Sequence, residues 1–447
     1  MAFSPTDSRL YGDLFSTTEM AAIFSDESAV QRMLQVEAAL ARVQARLGII
    51  PPEAGARINT AAQTFQTDME ALAASTARVG FPVIELVRQL RAAAGPQAAD
   101  YVHYGATTQD IMDTARVLQI RQALTELGAM LKDCIRALAD LAGAHTATLM
   151  VARTHSQQAL PTTFGLKTAG WLAPLLRHHD RLAELRARVM VVQFGGAAGT
   201  LAARGDRGLE VQAALATELG LGTPLMPWHT QRDSFTEAAG WLSLLTGSLG
   251  KMAQDVILLG QSEIGEVRES ADTTRGASST MPQKRNPVVS EIILACARTN
   301  ASLVGTMHGA MAHEHERGTH GWQVEWLVLP QMFALAAAAL THGLDLSRQL
   351  VVDRARMAAN VAAANGLILA EAAAFTLGVH MPRAEAKRIV REACDIALRD
   401  GRHLIDVLAE MTSAPVAWER IRSEADYLGE AAALTARVLQ TSKEIES

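Results

Sequence analysis

The chain has 447 residues, of which 49% are hydrophobic, 20% charged and 4% aromatic, and a formal net charge of −6. That length and apolar content allow a sizeable core spread over about two to three domains. Few aromatics beside abundant Ala, Leu, Glu, Arg and Gln favour helices over sheets. The acidic balance argues against a nucleic-acid binder, which would show a basic face, so a polyanionic ligand would need a local cluster of cations, amides and hydroxyls.

In chain order, the first residues lack a basic start followed by an apolar run, so no signal peptide is expected and the protein is expected to be soluble and cytoplasmic. Ser25 and Asp26 read as a helix start, with apolar positions at Val30, Met33, Leu34, Leu40, Ala41 and Leu47, ended by Gly48 and the Pro51-Pro52 pair. A polar stretch from His103 to Asp110 follows, in which Thr107 or Thr108 is placed to cap the next helix. That helix, over about 113–141, carries Val117, Ile120, Leu124, Leu127, Leu131, Cys134, Leu138 and Leu141 at alternating gaps of three and four, a heptad seam. Helices average ~11–12 residues, so one this long implies a bundle of long helices.

A second polar stretch, Arg153–Gly165, precedes a helical pattern over 164–192 that contains Pro174, where a kink or a lost hydrogen bond is expected. The pattern over 236–264 holds Gly240, Gly247 and Gly250, which predicts close approach of another helix there. Between these helices, the Gly-rich stretch Gln193–Thr200 lacks the Lys-Ser/Thr of a phosphate loop and reads as a tight turn. Gly276–Pro287 reads as a loop, because Pro282 and Pro287 fix φ and remove donors. Helical patterns return at 288–304 and 329–346; the apolar run Met332–Leu340 is too short to span a bilayer. From Gln349 the helices are shorter, broken at Pro382, Gly401 and Pro415. No convincing strand run appears, so the predicted architecture is all-α. Cys134, Cys296 and Cys394 lack metal spacing and read as core thiols.

The chemistry-bearing residues fall in three stretches. The first, around His103, Thr107 and Thr108, combines hydroxyls with a helix N-terminus, which is a ready anion site. The second places His155 among Arg153, Thr154 and Gln158, neighbours able to orient an imidazole for proton transfer. The third, Gly-Ala-Ser-Ser-Thr-Met-Pro-Gln-Lys-Arg-Asn-Pro over 276–287, has the Ser, Lys and Asn needed to hold a carboxylate and move a proton beside it. His313-Glu314-His315-Glu316-Arg317 lacks the His-Glu-x-x-His spacing of a zinc site, and Arg317 is its best anion ligand.

The third stretch resembles the signature loop of the fumarase/aspartase superfamily, with Ala277 where the family usually has Gly, a substitution that stiffens the hinge. The other two stretches match the remaining motif regions of that superfamily in order. The resemblance implies a three-domain helical fold, here divided as 1–108, 109–348 and 349–447, whose central bundle of long helices forms the core of a homotetramer. Each active site would then be assembled from three subunits. It further implies Ser278 as the base that removes a proton α to a carboxylate and His155 as proton donor. Lys284, Asn286, Thr107 and Thr108 would bind substrate carboxylates, with His103, Thr154, Gln158, Ser279 and Arg317 among the substrate contacts. Neither a metal nor an organic cofactor is implied.

Trp228–Asp233, Ala312–Trp326, Asp426–Gly429, Val192–Gly196 and Ile23–Asp26 resemble the branch of bacterial 3-carboxy-cis,cis-muconate cycloisomerases. That branch lactonises a tricarboxylate diene in the protocatechuate branch of aromatic catabolism. The alternative is a fumarate-releasing C–N lyase of adenylosuccinate lyase type, with which Arg153-Thr154-His155 agrees, or a lyase on another succinyl-like substrate. Those lyases usually carry an Arg-His-Asp motif ahead of the first stretch, where this chain has Arg78-Val79-Gly80-Phe81-Pro82. A purely structural role for the helical seam is the non-enzymatic reading, and such a role has no use for these polar residues.

Overall fold

The computed structural model describes Ser4–Asp272 and Thr274–Glu446. The chain is overwhelmingly helical. Short helices α1 (Gly12–Phe15) and α2 (Thr18–Ile23) lead into α3 (Asp26–Arg46), which Ser25 caps by accepting the Ser28 N–H at 3.2 Å. Helices α4 (Pro52–Thr64), α5 (Met69–Val79) and α6 (Val83–Ala94) follow, then α7 (Thr108–Ala144), a helix of 37 residues. A hairpin of β1 (Leu149–Thr154) and β2 (Gln157–Thr163) runs directly into α8 (Phe164–Val189). Then come α9 (Gly208–Leu219), α10 (Asp233–Leu259), β3 (Val267–Arg268), α11 (Val288–Ala310) and α12 (Gly321–Gln349). The chain ends with β4 (Val351–Val352), α13 (Arg354–Ala363), α14 (Ala370–Leu377), α15 (Arg383–Asp400), α16 (Leu404–Met411) and α17 (Ala431–Glu446).

The expectation of no strands is therefore corrected at two places. β1 pairs antiparallel with β2, and β3 with β4. Val151, Leu160 and Thr162-Thr163 are ordinary strand formers, but the polar Arg153–Gln158 stretch between them hides the hairpin. Helices α7, α11 and α12 extend past their predicted ends, whereas α8 and α10 stop short of theirs at Val189 and Leu259; α8 and α12 continue through Pro174 and Pro330. The α7 seam is buried from Val117 to Leu138. At Gly240 and Gly247 an added Cβ would meet nothing within 4 Å, so the helix contact expected there is not made within this chain.

The chain divides into two compact units. The first comprises Met1–Ala129, His178–Gly247 and Cys296–Ala339. Its main core packs the apolar faces of α3, α4 and α6 with the start of α7, Val192, Phe194 and α9. The second comprises Met130–Arg177, Ser248–Ala295 and Leu340–Ser447, with a core of α14, α15 and α16 and a smaller cluster of Val151, Val361, Ala364 and Ile368. Cys134 and Cys296 are buried, their thiols pushed up to about 12 by burial; Cys394 is half-buried. The run Met332–Leu340 lies inside α12, and both α11 and α12 are long and apolar enough by length and composition to cross a membrane. About two-thirds of the apolar window of α12 (67%) is buried within the structure, against 33% for α11.

The first unit is organised around a buried guanidinium. Arg232 bonds Asp113 through Nη1 and Nη2 (2.7 and 3.1 Å) and Glu325 through Nε and Nη2 (2.8 and 2.5 Å). Its guanidinium lies 4.9 Å from the ring centres of both Trp228 and Phe235. Burial disfavours the charge, but the two carboxylates outweigh it and raise the pKa. Trp322 donates its indole N–H to Asp113 at 2.9 Å. Arg116 feels the charge of Asp113 and Glu325, but burial outweighs their pull and holds its pKa down to about 10.

Removing one partner from such a buried network leaves an uncompensated charge. Asp113→Ala is expected to lower stability by about 3–5 kcal/mol, read as a shifted denaturation midpoint in urea. A midpoint within error of wild type would show that Glu325 alone suffices.

Candidate functional site

Four of the candidates, His103, Thr107, Thr108 and Arg317, belong to the first unit. Asp110 sets the start of α7 by accepting the Thr107 N–H at 3.0 Å, the reciprocal half of a capping box. The same buried carboxylate accepts the N–H groups of Gly195 and Gly196, both at 2.9 Å, and contacts His229 Nε2 at 2.7 Å. It therefore ties the Gly-rich turn to the helix N-terminus. Glycine is required at 195, because a Cβ there would lie 2.6 Å from Pro227. The turn expected over 193–200 is present, with φ of +71° at Gly196 and +77° at Gly199.

Arg317 reaches this turn. Its Nη2 donates to Ala197 O at 2.8 Å and its Nη1 to Gln109 Oε1 at 3.1 Å. His103 adopts a positive φ of 63° and contacts Glu37 at 2.6 Å through Nδ1. Burial alone would lower the His103 pKa, but the charge and hydrogen bond of Glu37 outweigh it and the net shift is upward. Thr107 and Thr108 are half-buried at the α7 N-terminus, where free N–H groups favour an anion.

The remaining candidates belong to the second unit. The sequence reading puts His155 just ahead of a helix, but it occupies the tip of the β1–β2 hairpin, where His155 and Ser156 take φ of 48° and 63°. Two left-handed residues make a hairpin turn of the kind whose twist suits the flanking strands, usually filled by Asn and Gly. Thr154, His155, Ser156, Gln157 and Gln158 are all exposed there. Arg153 does not orient the imidazole: it makes a bidentate pair with buried Glu266 (2.8 and 2.7 Å), which Asn360 also reaches at 2.8 Å. The pair anchors the hairpin base and leaves its tip projecting.

The signature loop is pinched at its neck. Gly276 has φ of +65°, and its carbonyl accepts the Asn286 N–H at 2.8 Å. A Cβ at 276 would lie 2.1 Å from Asn286 O. Ser278 Oγ accepts the N–H groups of Met281 at 3.2 Å and Thr280 at 3.4 Å. Ser279 and Lys284 are exposed and Asn286 is half-buried. Arg285 folds back onto the loop's own carbonyls at Pro282 (2.7 Å) and Lys284 (3.0 Å). Where the loop re-enters α11, buried Glu269 accepts the N–H groups of Val289 (3.0 Å) and Ser290 (2.7 Å), a helix cap supplied from a distant point of the chain. Beneath the neck lies a cavity of about 130 Å³ lined by Glu269, Asp272, Arg275 and Asn286 among others. A larger cavity of about 710 Å³, along α3 and the α4–α5 connection, contains none of the candidates.

Sequence reasoning missed Gln109, Asp110 and Asp113, and also Arg232, Glu266 and Glu269. Only Asp110 had a local signal, the Thr107-x-x-Asp110 spacing of a capping box. Among the described residues no group of three or more His, Cys, Asp or Glu is gathered as a metal site.

A protein-family model described as Lyase matches residues 15–299. A 3-carboxy-cis,cis-muconate cycloisomerase of Pseudomonas aeruginosa is 46% identical over 439 residues, covering 96% of both chains. The crystal structure of 3-carboxy-cis,cis-muconate lactonizing enzyme from Pseudomonas putida superposes with a TM-score of 0.90 at 39% identity, covering 98% of this chain and 100% of that one. That of a fumarate lyase from Mesorhizobium sp. BNC1 does so with a TM-score of 0.90 at 44% identity, covering 95% and 98%.

Gly276→Ala forces a side chain into a left-handed residue and against Asn286 O, so the loop neck should open while the helical core stays intact. The expected result is turnover reduced at least tenfold with an unchanged thermal midpoint; full activity would show that the neck does not matter. For His103, a raised folded-state pKa means that the Glu37 contact stabilises below the unfolded histidine value and is lost as pH rises through the folded one. Glu37→Gln should therefore lose more stability at pH 6 than at pH 9, measured by urea denaturation. An equal loss at both would exclude the ion pair.

Proposed function

The chain belongs to the lyase family of the fumarase/aspartase superfamily, and we propose that it catalyses reversible lactonisation of 3-carboxy-cis,cis-muconate to carboxymuconolactone. The observation that carries this reading is end-to-end likeness, 46% over 96% of both chains, to a relative named for that reaction. The cycloisomerisation would serve the protocatechuate branch of aromatic catabolism in a soluble, cytoplasmic enzyme that engages neither nucleic acid nor membrane.

In the lactonising direction one substrate carboxylate oxygen adds across a double bond, and a proton is delivered to the carbon α to another carboxylate. In reverse, a base removes that proton, the electrons pass through the aci-carboxylate, and the ring carboxylate oxygen leaves. Ser278 is the proposed base. The two backbone N–H groups on its Oγ favour the ionised form, and Lys284 adds positive charge. Lys284 and Asn286 bind and stabilise the aci-carboxylate, the electrostatic contribution on which such chemistry most depends. His155 is the proposed proton donor, giving its proton to the departing ring carboxylate oxygen in the reverse step, with Thr154 and Gln158 beside it and Ser279 in the loop. His103, Thr107, Thr108 and Arg317 receive the remaining carboxylates.

Assembly from three subunits of a homotetramer supplies these groups to each site. The three-domain division at 1–108, 109–348 and 349–447 belongs to the same reading. Exposed leucines on the long helices support it: Leu244 and Leu258 on α10 are 56% and 42% exposed, and Leu327 on α12 is 76% exposed. Such surfaces mark association faces, and the apolar sides of α11 and α12 are accounted for in the same way.

His155 favours a second reading, a fumarate-releasing C–N lyase of adenylosuccinate lyase type. Phe81 speaks against it. Where those lyases carry an imidazole, this chain has a ring packed 5.4 Å from Trp322 and 6.1 Å from Trp326. An ultraviolet assay of the diene, with adenylosuccinate in parallel, separates the two. Loss of diene absorbance with a lactone product is expected; fumarate from adenylosuccinate with a stable diene would establish the second reading. Ser278→Ala should lower kcat by about 10²–10⁴-fold with unchanged circular dichroism. Activity kept within a few-fold would remove Ser278 from the role of base.

A further inference from the structure

Arg317 and Arg232 are held in opposite ways. Arg232 is neutralised by two carboxylates, Asp113 and Glu325. The hydrogen bonds of Arg317 go to neutral acceptors: Gln109 Oε1 at 3.1 Å, Ala197 O at 2.8 Å and Gly196 O at 3.5 Å. Gln109 stands between the two systems and is 1% exposed. Its Nε2 donates to Asp113 Oδ2 at 3.0 Å and to His229 O at 2.9 Å. These two acceptors fix the orientation of the amide. Flipping it would set a carbonyl oxygen against a carboxylate and a peptide carbonyl, and the NH₂ against a guanidinium. The Oε1 atom is thereby aimed at Arg317.

We propose that Gln109 is a positioning residue: as a neutral spacer it docks Arg317 on the Gly-rich turn without neutralising it, leaving the guanidinium charge for a substrate carboxylate. The inference rests on the reading of the site as one for a polycarboxylate. It explains why the position holds an amide. A glutamate would reach the same atoms but would pair with Arg317 and repel both Asp113 and the anionic substrate. An apolar side chain would leave the Asp113 and His229 acceptors short of a donor and Arg317 undocked.

The test is Gln109→Glu, with Gln109→Leu as a second variant and Arg317→Ala as the partner in a double-mutant cycle. The charged and titratable groups around position 109 are Asp110, Asp113 and Arg116 on its own helix, His229 and Arg232 just ahead of α10, Arg317 and His313 in the α11–α12 connection, and Glu325 on α12. With its new carboxyl protonated, the Gln109→Glu variant mimics the amide, donating to Asp113 or His229 O and accepting from Arg317; with that carboxyl ionised, it does not. In Gln109→Glu, KM for 3-carboxy-cis,cis-muconate is therefore expected to rise at least tenfold over wild type at pH 8, with kcat changed much less, and the excess over wild type is expected to narrow as the pH is lowered and the new carboxyl takes up a proton. Gln109→Leu should raise KM with no such pH dependence. In the Arg317→Ala background, Gln109→Glu should add a distinctly smaller factor than it does in wild type, because only its repulsion of Asp113 and substrate remains.

Equal KM in wild type and Gln109→Glu at pH 8 overturns the proposal, as does a full additive effect in the Arg317→Ala background. Binding of tricarballylate, a saturated tricarboxylate, measured by calorimetry on the same proteins, separates this claim from the reaction assigned above. A wild type inert toward the diene that binds tricarballylate, with weakened binding in Gln109→Glu at pH 8, overturns the assigned reaction and upholds the positioning role. A wild type that neither turns over the diene nor binds tricarballylate overturns both.

Discussion

Arg232 carries a positive charge where there is almost no water, and that fact constrains the first unit more than any apolar contact does. A guanidinium removed from solvent must be met by opposite charge with its donors satisfied. Here the opposite charge comes from two different helices, Asp113 on α7 and Glu325 on α12, while Arg232 itself precedes α10. The planar fork accepts a narrow range of geometries, so the relative rotation of three long helices is fixed at one point. The faces of Trp228 and Phe235 exclude solvent from the pair and add attraction through their rings. Hydrophobic packing along the α7 seam brings the helices together but tolerates sliding; the ion network does not.

From that fixed point the first unit is built by hydrogen bonds that run outward along the first turn of α7. Asp113 holds Gln109, Gln109 holds Arg317, and Asp110 holds the Gly-rich turn on which Arg317 also rests. The second unit uses carboxylates in the same manner. Glu266 clamps Arg153 at the hairpin base, and Glu269 caps α11 where the signature loop ends. In the second unit each buried acid anchors the root of a segment whose tip is exposed. The exposed tips, His155 and Lys284 among them, hold the residues assigned to proton transfer and carboxylate binding.

Much of this is legible in the sequence, and for physical reasons. The heptad seam of α7, the Ser25 cap and the proline- and glycine-delimited loop over 276–287 are local patterns with local causes. The hairpin is not legible, because its turn uses His155 and Ser156 in left-handed conformations without a glycine to advertise them. Nor are the anchors. Glu266 and Arg153 lie 113 residues apart and Asp113 and Arg232 lie 119 apart, and in a linear reading each is one more charged residue on a helix or loop. Adjacency in sequence makes Arg153 look like an orienting partner of His155; the left-handed turn at His155 and a distant carboxylate take it elsewhere.

A chain with a net charge of −6 can bind a trianionic substrate only if its cations are divided between two tasks. Arg153 and Arg232 are matched to carboxylates and contribute rigidity, with little positive potential left over. Arg317 is bound by an amide and backbone carbonyls, and Lys284, among the described residues, has no carboxylate partner. Neutral acceptors orient a cation through their dipoles while leaving its net charge in place, so the field persists where a substrate carboxylate would arrive. Composition counts all four of these residues alike. What separates Arg317 from Arg232 is the formal charge of their hydrogen-bond acceptors: two carboxylates for Arg232, and the Gln109 amide with backbone carbonyls for Arg317.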